Sequence, residues 1–488
     1  MNASALPPLQ LQRRLLAAAT LAALVNFYAF YPGLYHHDAW AYVNQVRTGA
    51  WDNWQPPLLG VMWIPLQAVW TGPQPMLALF LAGYWSAFVL IALGYRDEES
   101  RTLPYFVFLA AFFPMALNYN AQLVKDIAMA VSMLLAAGIA ALLLRGYFKR
   151  TRIAGAFMWL FILMGGFFRA NAVFGMPPLI DLAISAVSPR WRGMGFIKRS
   201  ITAGLLSLLF IPGHLIADTK IFGVKDIKPI SPLQVFDLGG ITYFSGRDQY
   251  KGFFGPDFVE KNRNFKDRPE SGRGCYTPRH WDTYGWDPDL KGGCPEVYEN
   301  LKPKFGSELG RLWVDAILAE PRAYLTHRLA HANRFFQFLC KGCEEPVKTG
   351  WQSNNQKDVT FTPNPVYNAI EWMAVNWSLS PLGPPYIYLL VCIAFMWAST
   401  GIRERVTRHV TFALVSSGTL YALALFVIGI AHEYRYIYWT MLCALIATPV
   451  IVARVVMRTE IPVLLRFGPL VLIAVVIAMR EIAVRFYL

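Results

Sequence analysis

The sequence predicts an all-α polytopic membrane protein with about eleven transmembrane helices and one large loop domain. Of the 488 residues, 55% are hydrophobic and only 16% are charged. Apolar runs recur at the length of roughly 20 residues that a helix needs to cross a bilayer. Lys and Arg lie in short clusters between these runs, where they set membrane orientation. This composition excludes a soluble enzyme, and the clustering argues against nucleic-acid binding despite a formal charge of +14.

Each predicted span is one apolar run. The spans are 15–31, 74–95, 102–118, 127–144, 153–168, 171–188, 201–217, 382–399, 410–430, 436–454 and 464–482. The sixth is the weakest, because it contains Pro177, Pro178 and Asp181. The run 58–70 is apolar but short, and we interpret it as interfacial or re-entrant. Before it, aromatic and aliphatic residues within 37–57 follow an approximately helical spacing, which predicts a helix in the membrane interface.

The positive-inside rule assigns a side to every connection. With Arg13 and Arg14 in the cytoplasm, the connections 96–101, 145–152, 190–199, 403–408 and 454–466 are also cytoplasmic, and each is basic or contains a pair of arginines. The alternate connections then face outward and contain few basic residues. The agreement supports the sixth span, since removing it would reverse the side of the earlier loops.

Three parts follow along the chain. Residues 1–217 form an amino-terminal transmembrane module with its first outward loop at 32–57, residues 218–381 form an extracytoplasmic loop domain, and residues 382–488 form a carboxyl-terminal transmembrane module. Within the loop domain, the pattern predicts one long helix at 307–338.

Four of the six cysteines lie in the loop domain. They are Cys275, Cys294, Cys340 and Cys343. Disulfides are the favoured interpretation, because an extracytoplasmic domain is in an oxidising compartment. A zinc site built from the four thiolates is the alternative.

Polar and charged residues cluster where four outward loops meet the spans. The clusters are His36, His37 and Asp38; Lys125 and Asp126; Arg169 and Asn171; and His432, Glu433, Arg435 and Tyr436. Such charges are costly near lipid, and by the positive-inside rule they do not serve orientation. They are therefore candidate functional residues.

Each cluster has a chemical and a structural interpretation. Asp38 is either a general base or the N-cap of the following helix. Lys125, Arg169 and Arg435 either bind a phosphate or pair with neighbouring carboxylates. A divalent metal ion, Mg²⁺ or Mn²⁺, is the one cofactor left open, and it would bind at the first cluster together with substrate phosphate.

Several short motifs together resemble the GT-C glycosyltransferases, a group of polytopic membrane enzymes. They are Asp38 in PGLYHHDAWAYVNQ, the step Gln55-Pro56-Pro57-Leu58 that is similar to an H-P-P-L element, Lys125-Asp126, Arg169-x-Asn171, and Glu433-Tyr434-Arg435-Tyr436. The resemblance covers the transmembrane body and not the large loop. Many members have paired acids in the first outward loop, whereas this chain has Asp38 alone.

This resemblance implies a GT-C-like fold and a sugar transfer on the extracytoplasmic face. The donor would be a polyprenyl-phosphate or polyprenyl-diphosphate sugar, and the acceptor a glycan, lipid or protein. Asp38 would be the catalytic base, and Lys125, Arg169 and Arg435 would hold the donor phosphate. The substrate-binding set would also include His36, His37, Asp126, Asn171, His432, Glu433 and Tyr436.

Two other functions remain open from the sequence. A ligase that moves a lipid-linked glycan would use a histidine such as His432, His327 or His331 as its base. A transporter or flippase of lipid-linked sugars would need charges deep within spans, for which Asp181 is the one candidate. The short loops favour a bacterial inner membrane with the site facing the periplasm or exterior, and the endoplasmic reticulum is the alternative.

Overall fold

The computed structural model describes residues 9–35, 37–96, 100–263, 275–285, 294–339, 347 and 359–486. These residues are helical or irregular, and among them the only β-type pairings are two isolated bridges, Leu34 with Gln122 and Asp52 with Lys225. The prediction of a helical membrane protein is confirmed at this level, because several helices are long and apolar enough to span a bilayer.

Twenty-two α-helices are defined in the described residues. They are α1 (Leu9–Phe30), α2 (His37–Thr48), α3 (Pro57–Val69), α4 (Gln74–Gly94), α5 (Leu103–Leu109), α6 (Pro114–Asn120), α7 (Lys125–Leu144), α8 (Thr151–Phe168), α9 (Met176–Val187), α10 (Pro189–Arg192), α11 (Phe196–Leu208), α12 (Phe210–Ile216), α13 (Ser231–Ser245), α14 (Phe258–Arg263), α15 (Pro295–Leu301), α16 (Ser307–Ala319), α17 (Pro321–Phe336), α18 (Pro365–Ser378), α19 (Pro385–Ser399), α20 (Arg405–Ile428), α21 (Tyr438–Ile451) and α22 (Val463–Phe486).

Within these described residues, seven helical segments have the length and apolarity of a transmembrane span. They are Gln74–Gly94, Lys125–Leu144, Thr151–Phe168, Phe196–Ile221, Arg405–Ile428, Tyr434–Val456 and Val463–Phe486. Each overlaps one of the eleven predicted runs. The predicted number of eleven is not confirmed.

The other four predicted runs are not among these seven segments. The run 102–118 is interrupted at Phe113, whose ψ of 127° is extended because Pro114 follows it. The runs 171–188 and 382–399 contain only α9, with 12 residues, and α19, with 15 residues. The helix α1 has 22 residues and is therefore long enough to cross a bilayer, but it is not among the seven.

The chain divides into two compact units. The first unit comprises Met1–Lys225, Glu344–Ala422 and Tyr434–Glu481. The second comprises Asp226–Cys343, Leu423–Glu433 and Ile482–Leu488.

In the first unit, α7 is enclosed by its neighbours α4, α8 and α9. Small residues permit the close contact with α4, as they do between many membrane helices. A Cβ added to Gly138 would lie 2.8 Å from Leu90 Cβ, and one added to Gly94 would lie 2.6 Å from Ala141 Cβ. This packing fixes the carboxyl-terminal half of α7, and Lys125 and Asp126 lie at the other end of the helix.

The second unit contains α13 to α17. The predicted helix 307–338 is two helices, because Glu320 leaves the helical conformation (φ −130°, ψ 58°) immediately before Pro321. A disulfide joins Cys275 to Cys294. The other two candidate cysteines, Cys340 and Cys343, lie outside the described residues.

Candidate functional site

The turn that follows α1 leads the chain to the candidate site. It requires glycine at position 33, where φ is +114° and an added Cβ would lie 2.8 Å from Pro73 Cβ. Leu34 then pairs with Gln122, three residues before α7 begins. The turn therefore brings the start of α2 and the start of α7 into the same region of the first unit.

Asp38 lies in the first turn of α2 and binds two side chains. Its Oδ1 accepts a hydrogen bond of 2.8 Å from Gln55 Nε2, and its Oδ2 lies 2.6 Å from Arg435 Nη1. Gln55 is fully buried just before α3, where Pro56 and Pro57 set the helix start. The carboxylate is therefore held by one neutral and one charged donor.

A second acid, Asp126, lies in the first turn of α7 and is 1% exposed. It forms an ion pair with Arg169 Nη1, and its Oδ2 is 4.0 Å from Arg435 Nε. Arg169 follows the last residue of α8 in an extended conformation, and its Nε donates to Asn171 Oδ1 at 2.6 Å. Arg435 is thus within reach of both acids, while Arg169 is anchored by an amide.

The ring of Tyr436 contacts both guanidinium groups. The Arg169 Cζ atom is 4.4 Å from the ring centroid, and the Arg435 Cζ atom is 5.2 Å from it. Such cation–π contacts restrain arginine planes without neutralising their charge. Asp38, Asp126, Arg169, Arg435 and Tyr436 are hereafter called the charged cluster.

Lys125 lies beside the charged cluster through its contact with the loop before α3. Its Nζ is 3.5 Å from the carbonyl oxygen of Trp54, the residue before Gln55. Lys125 therefore adds a third basic side chain beside the two arginines of the charged cluster. Basic side chains held in this way are suited to bind an anion.

Tyr42 is a residue of this region that the sequence analysis missed. It lies one helical turn after Asp38 on α2, and it is fully buried. Burial raises its pKa, Asp38 raises the pKa further, and Arg169 lowers it. Its hydroxyl has no hydrogen-bond partner among the described residues. The i, i+4 spacing from Asp38 was the signal that could have identified it.

Other predicted site residues belong to the second unit or cannot be placed. His432 and Glu433 belong to the second unit, where His432 Nδ1 is 3.0 Å from the Arg279 carbonyl oxygen and its ring stacks on His280. His36 and the side chain of His37 lie outside the described residues. Within the described residues, no group of three or more His, Cys, Asp and Glu side chains could hold a metal ion.

Two histidines that the sequence offered as alternative bases are buried in the second unit. His327 Nε2 donates to Asp237 Oδ1 at 3.0 Å, and its Nδ1 accepts from the Tyr276 hydroxyl at 2.9 Å. Asp237 also binds Arg328 Nη2 at 2.5 Å and Trp313 Nε1 at 2.7 Å. These contacts join α13 to α16 and α17. This network has the character of a structural core, because His327 and Asp237 are both 0% exposed.

The charged cluster can bind a phosphate and accept a proton. Two guanidinium groups offer forked donors that match phosphate oxygens, and both keep their charge at any relevant pH. The Asp38 carboxylate is 15% exposed, whereas that of Asp126 is 1% exposed. Asp38 is therefore the better placed of the two to meet a substrate hydroxyl.

Comparisons of the chain with models of protein families, with curated proteins and with solved structures gave no match.

Proposed function

We propose that this protein is a GT-C-type membrane glycosyltransferase that uses a polyprenyl-phosphate or polyprenyl-diphosphate sugar. The observation that carries the proposal is the pairing of Asp38 with Arg435, beside the pairing of Asp126 with Arg169. Such a transferase needs one carboxylate base and several fixed cations at a single place. The charged cluster contains both.

The donor phosphate would bind to Arg435, Arg169 and Lys125. The donor phosphate has non-bridging oxygens that accept forked hydrogen bonds from a guanidinium, so it competes with Asp38 for Arg435. Tyr436 would keep both arginine planes in position during this exchange. Asp126, which remains buried beside Arg169, would hold that arginine in the absence of the donor.

Asp38 would then serve as the general base. As Arg435 turns to the phosphate, the freed carboxylate accepts the proton of the acceptor hydroxyl, while Gln55 continues to orient it. The acceptor oxygen forms a bond to the anomeric carbon, and the bond from that carbon to the phosphate oxygen breaks. The polyprenyl phosphate leaves with the electron pair, and the arginines stabilise its charge.

The proposal places the charged cluster on the extracytoplasmic face of a membrane, for which a bacterial inner membrane is the preferred site. Eleven spans, as the apolar runs predict, would complete the GT-C fold. The disulfide between Cys275 and Cys294 supports an oxidising compartment for the large loop. The proposed steps do not include a divalent ion, because Arg435, Arg169 and Lys125 supply the positive charge for the donor phosphate.

The two alternatives have less support. A ligase that uses His327 or His331 would need an accessible imidazole, and both residues are 0% exposed, which leaves the half-buried His432 as the candidate base for that reaction. A flippase would need an intramembrane charge that is available to its cargo. Asp181 instead pairs with Arg199 at 2.5 Å and with His409 at 3.0 Å, and it accepts a hydrogen bond from Trp191.

The test is sugar transfer by the purified full-length protein in liposomes. The donors are synthetic polyprenyl-phosphate sugars, the acceptor is a cell-envelope extract, and released polyprenyl phosphate and labelled product are measured. We expect Asp38→Asn to lower transfer by about 10²-fold to 10⁴-fold, the usual contribution of a general base. The matched control is Asp52→Asn, since Asp52 lies in the same loop and binds Gln45 and the Trp54 amide instead.

Full transfer by Asp38→Asn would refute the base assignment. Movement of the donor across the bilayer by the wild-type protein, without any covalent product, would establish a flippase instead. A variant that loses transfer while Asp52→Asn keeps it would support the proposal, provided both melt at the wild-type temperature.

A further inference from the structure

A cavity of about 590 Å³ lies in the first unit, between the end of α1, the turn after it and the segment that precedes α18. Its volume is within the range of roughly 300–1,000 Å³ that small-molecule sites occupy. We propose that this cavity binds an uncharged saccharide, as the acceptor end of the transfer reaction. This inference rests on the proposed function for its role, and on the cavity itself for its ligand.

One wall of the cavity is aromatic. Phe27, Tyr28 and Tyr31 contribute to it, with Phe27 and Tyr31 rings 5.8 Å apart. Tyr28 is 58% exposed and Tyr31 is 46% exposed, so both rings are available to a ligand. The face of an aromatic ring carries negative charge density and attracts the C–H groups of a sugar ring. This wall therefore offers stacking surfaces for a pyranose.

A second group of lining residues, the polar wall, is uncharged. Thr360, Thr362 and Gln74 line it, and their hydroxyl and amide groups both donate and accept hydrogen bonds. None of the described residues that line the cavity is charged at neutral pH. Among these described residues a phosphate would find no cation, and a bare hydrocarbon chain would leave the polar groups of Thr360, Thr362 and Gln74 unpaired. A sugar needs no cation, and its hydroxyl groups can form hydrogen bonds with these polar side chains.

The polar wall is fixed in place by Asn364. Its Nδ2 donates to the carbonyl oxygens of Tyr28 and Ala29, at 2.9 and 3.2 Å, at the end of α1. Its Oδ1 accepts from the backbone amides of Val366 and Tyr367, which begin α18. One side chain thus joins the two sides of the cavity, and a cavity with fixed walls binds with a smaller loss of conformational entropy.

The same turn connects the cavity to the charged cluster. Tyr31 and Pro32 line the cavity, and Gly33 packs against Pro73, the neighbour of Gln74. Leu34 pairs with Gln122, shortly before Lys125 and Asp126, and Asp38 follows in the first turn of α2. A saccharide that contacts Tyr31 would therefore lie against the segment that carries the proposed base.

The experiment measures saccharide binding without any donor. Full-length protein in lipid nanodiscs is mixed with maltose, cellobiose or mannobiose, and saturation transfer to the sugar ring protons is recorded by NMR. We expect transfer to at least one disaccharide, and at least a fivefold weaker signal for Tyr31→Ala and for Thr362→Val. The control is Trp372→Ala, which removes an aromatic ring that is 68% exposed and does not line the cavity.

Absence of transfer to the ring protons of all three disaccharides would overturn the inference, as would signals that both cavity variants leave unchanged. With octyl glucoside as a further probe, saturation of the alkyl protons alone would identify an apolar groove and would also overturn it. Thr362→Val keeps side-chain size at an exposed position, so it tests the hydroxyl without unfolding the protein.

The outcome is separable from that of the proposed function. Arg435→Gln is expected to lose sugar transfer and to keep disaccharide binding. Disaccharide binding by a wild-type protein that transfers no sugar would refute the transferase and leave the saccharide site intact. Transfer that persists in both cavity variants at wild-type acceptor KM would refute the saccharide site alone.

Discussion

The Nη1 atom of Arg435 lies 2.6 Å from Oδ2 of Asp38, although the two residues come from opposite ends of the chain. Arg435 is 6% exposed, so this pair is largely removed from water. An ion pair in such a position loses much of its hydration energy and is retained where its charges have a further use. Exchange of the carboxylate for a substrate phosphate is the use that we propose.

Two substitutions of Arg435 distinguish the effect of its charge from the effect of its planar shape. Arg435→Lys keeps the charge but loses the planar fork, and we expect the KM for the donor to rise about 10-fold to 100-fold. Arg435→Gln also leaves the Asp38 charge without its ion-pair partner, so a loss on the order of 10³-fold in kcat/KM is expected. Steady-state kinetics with increasing donor concentration measure both.

A matched control for this pair of variants is Arg247→Gln. Arg247 is 78% exposed and pairs with Glu320 at the surface of the second unit. Exposed pairs contribute little, so transfer should change less than twofold. An unchanged donor KM in Arg435→Gln would contradict the phosphate-binding role.

Tyr436 offers a test of the contact between the ring and the arginines. Tyr436→Phe keeps the ring and should retain donor affinity within about twofold, whereas Tyr436→Leu removes a cation–π contact worth about 0.5–2 kcal/mol and should weaken donor binding roughly 3-fold to 30-fold. Donor affinity is measured by titration with an inert phosphonate analogue. Equal losses in the two variants would assign the role to the hydroxyl, which lies 3.5 Å from Arg435 Nη2.

The contact between α4 and α7 should be sensitive to a single methyl group. An added Cβ at Gly138 would lie 2.8 Å from Leu90 Cβ and 3.0 Å from the Ile91 amide nitrogen. Overpacking of this kind costs about 1–3 kcal/mol, so Gly138→Ala should lower the melting temperature of the protein in detergent. The control Gly204→Ala has no heavy atom within 4 Å of the new Cβ and should be neutral or slightly stabilising. Equal melting temperatures would contradict the packing at Gly138.

Protonation of His331 should destabilise the second unit in mild acid. Burial lowers its pKa well below the ordinary value, the hydrogen bond with the Pro278 carbonyl oxygen opposes this shift, and Arg328, His327 and His432 lower the pKa further. The Nδ1 atom donates to that carbonyl oxygen at 2.8 Å, so the folded state keeps the neutral ring.

Linkage between protonation and folding determines whether the stability of the second unit rises or falls with pH. The unfolded chain binds a proton near pH 6.5 and the folded chain does not, so stability is complete above about pH 6.5 and falls below it by at most about 1.4 kcal/mol per pH unit for this group. Hydrogen exchange of α13 and α17 at pH 7.5 and 5.5, corrected for intrinsic rates, measures the loss. His331→Gln should show a weaker dependence on pH, and an equally steep one would assign the effect to other groups.

Local patterns in the sequence determined the helical membrane character and the positions of its main helices. Each of the seven long apolar segments overlaps a predicted run, because apolar side chains at bilayer length are a local property of the chain. Pro114 and Pro321 also have a local effect. Each interrupts a segment in which the sequence pattern predicted one continuous helix. The sequence likewise singled out Asp38, Asp126, Arg169 and Arg435 as charges at the ends of spans.

The tertiary structure decided which of those charges meet. Nothing in the spacing indicates that Arg435 pairs with Asp38 while Arg169 pairs with Asp126, or that His432, close to Arg435 in the chain, belongs to the other unit. The cavity beside Tyr31 could not be seen in the sequence, since it depends on the packing of α1 against the segment before α18, whereas Tyr42 had one local signal, its i, i+4 spacing from Asp38. The physical reason is that helix formation depends on neighbours along the chain, whereas an ion pair or a cavity depends on how distant helices pack.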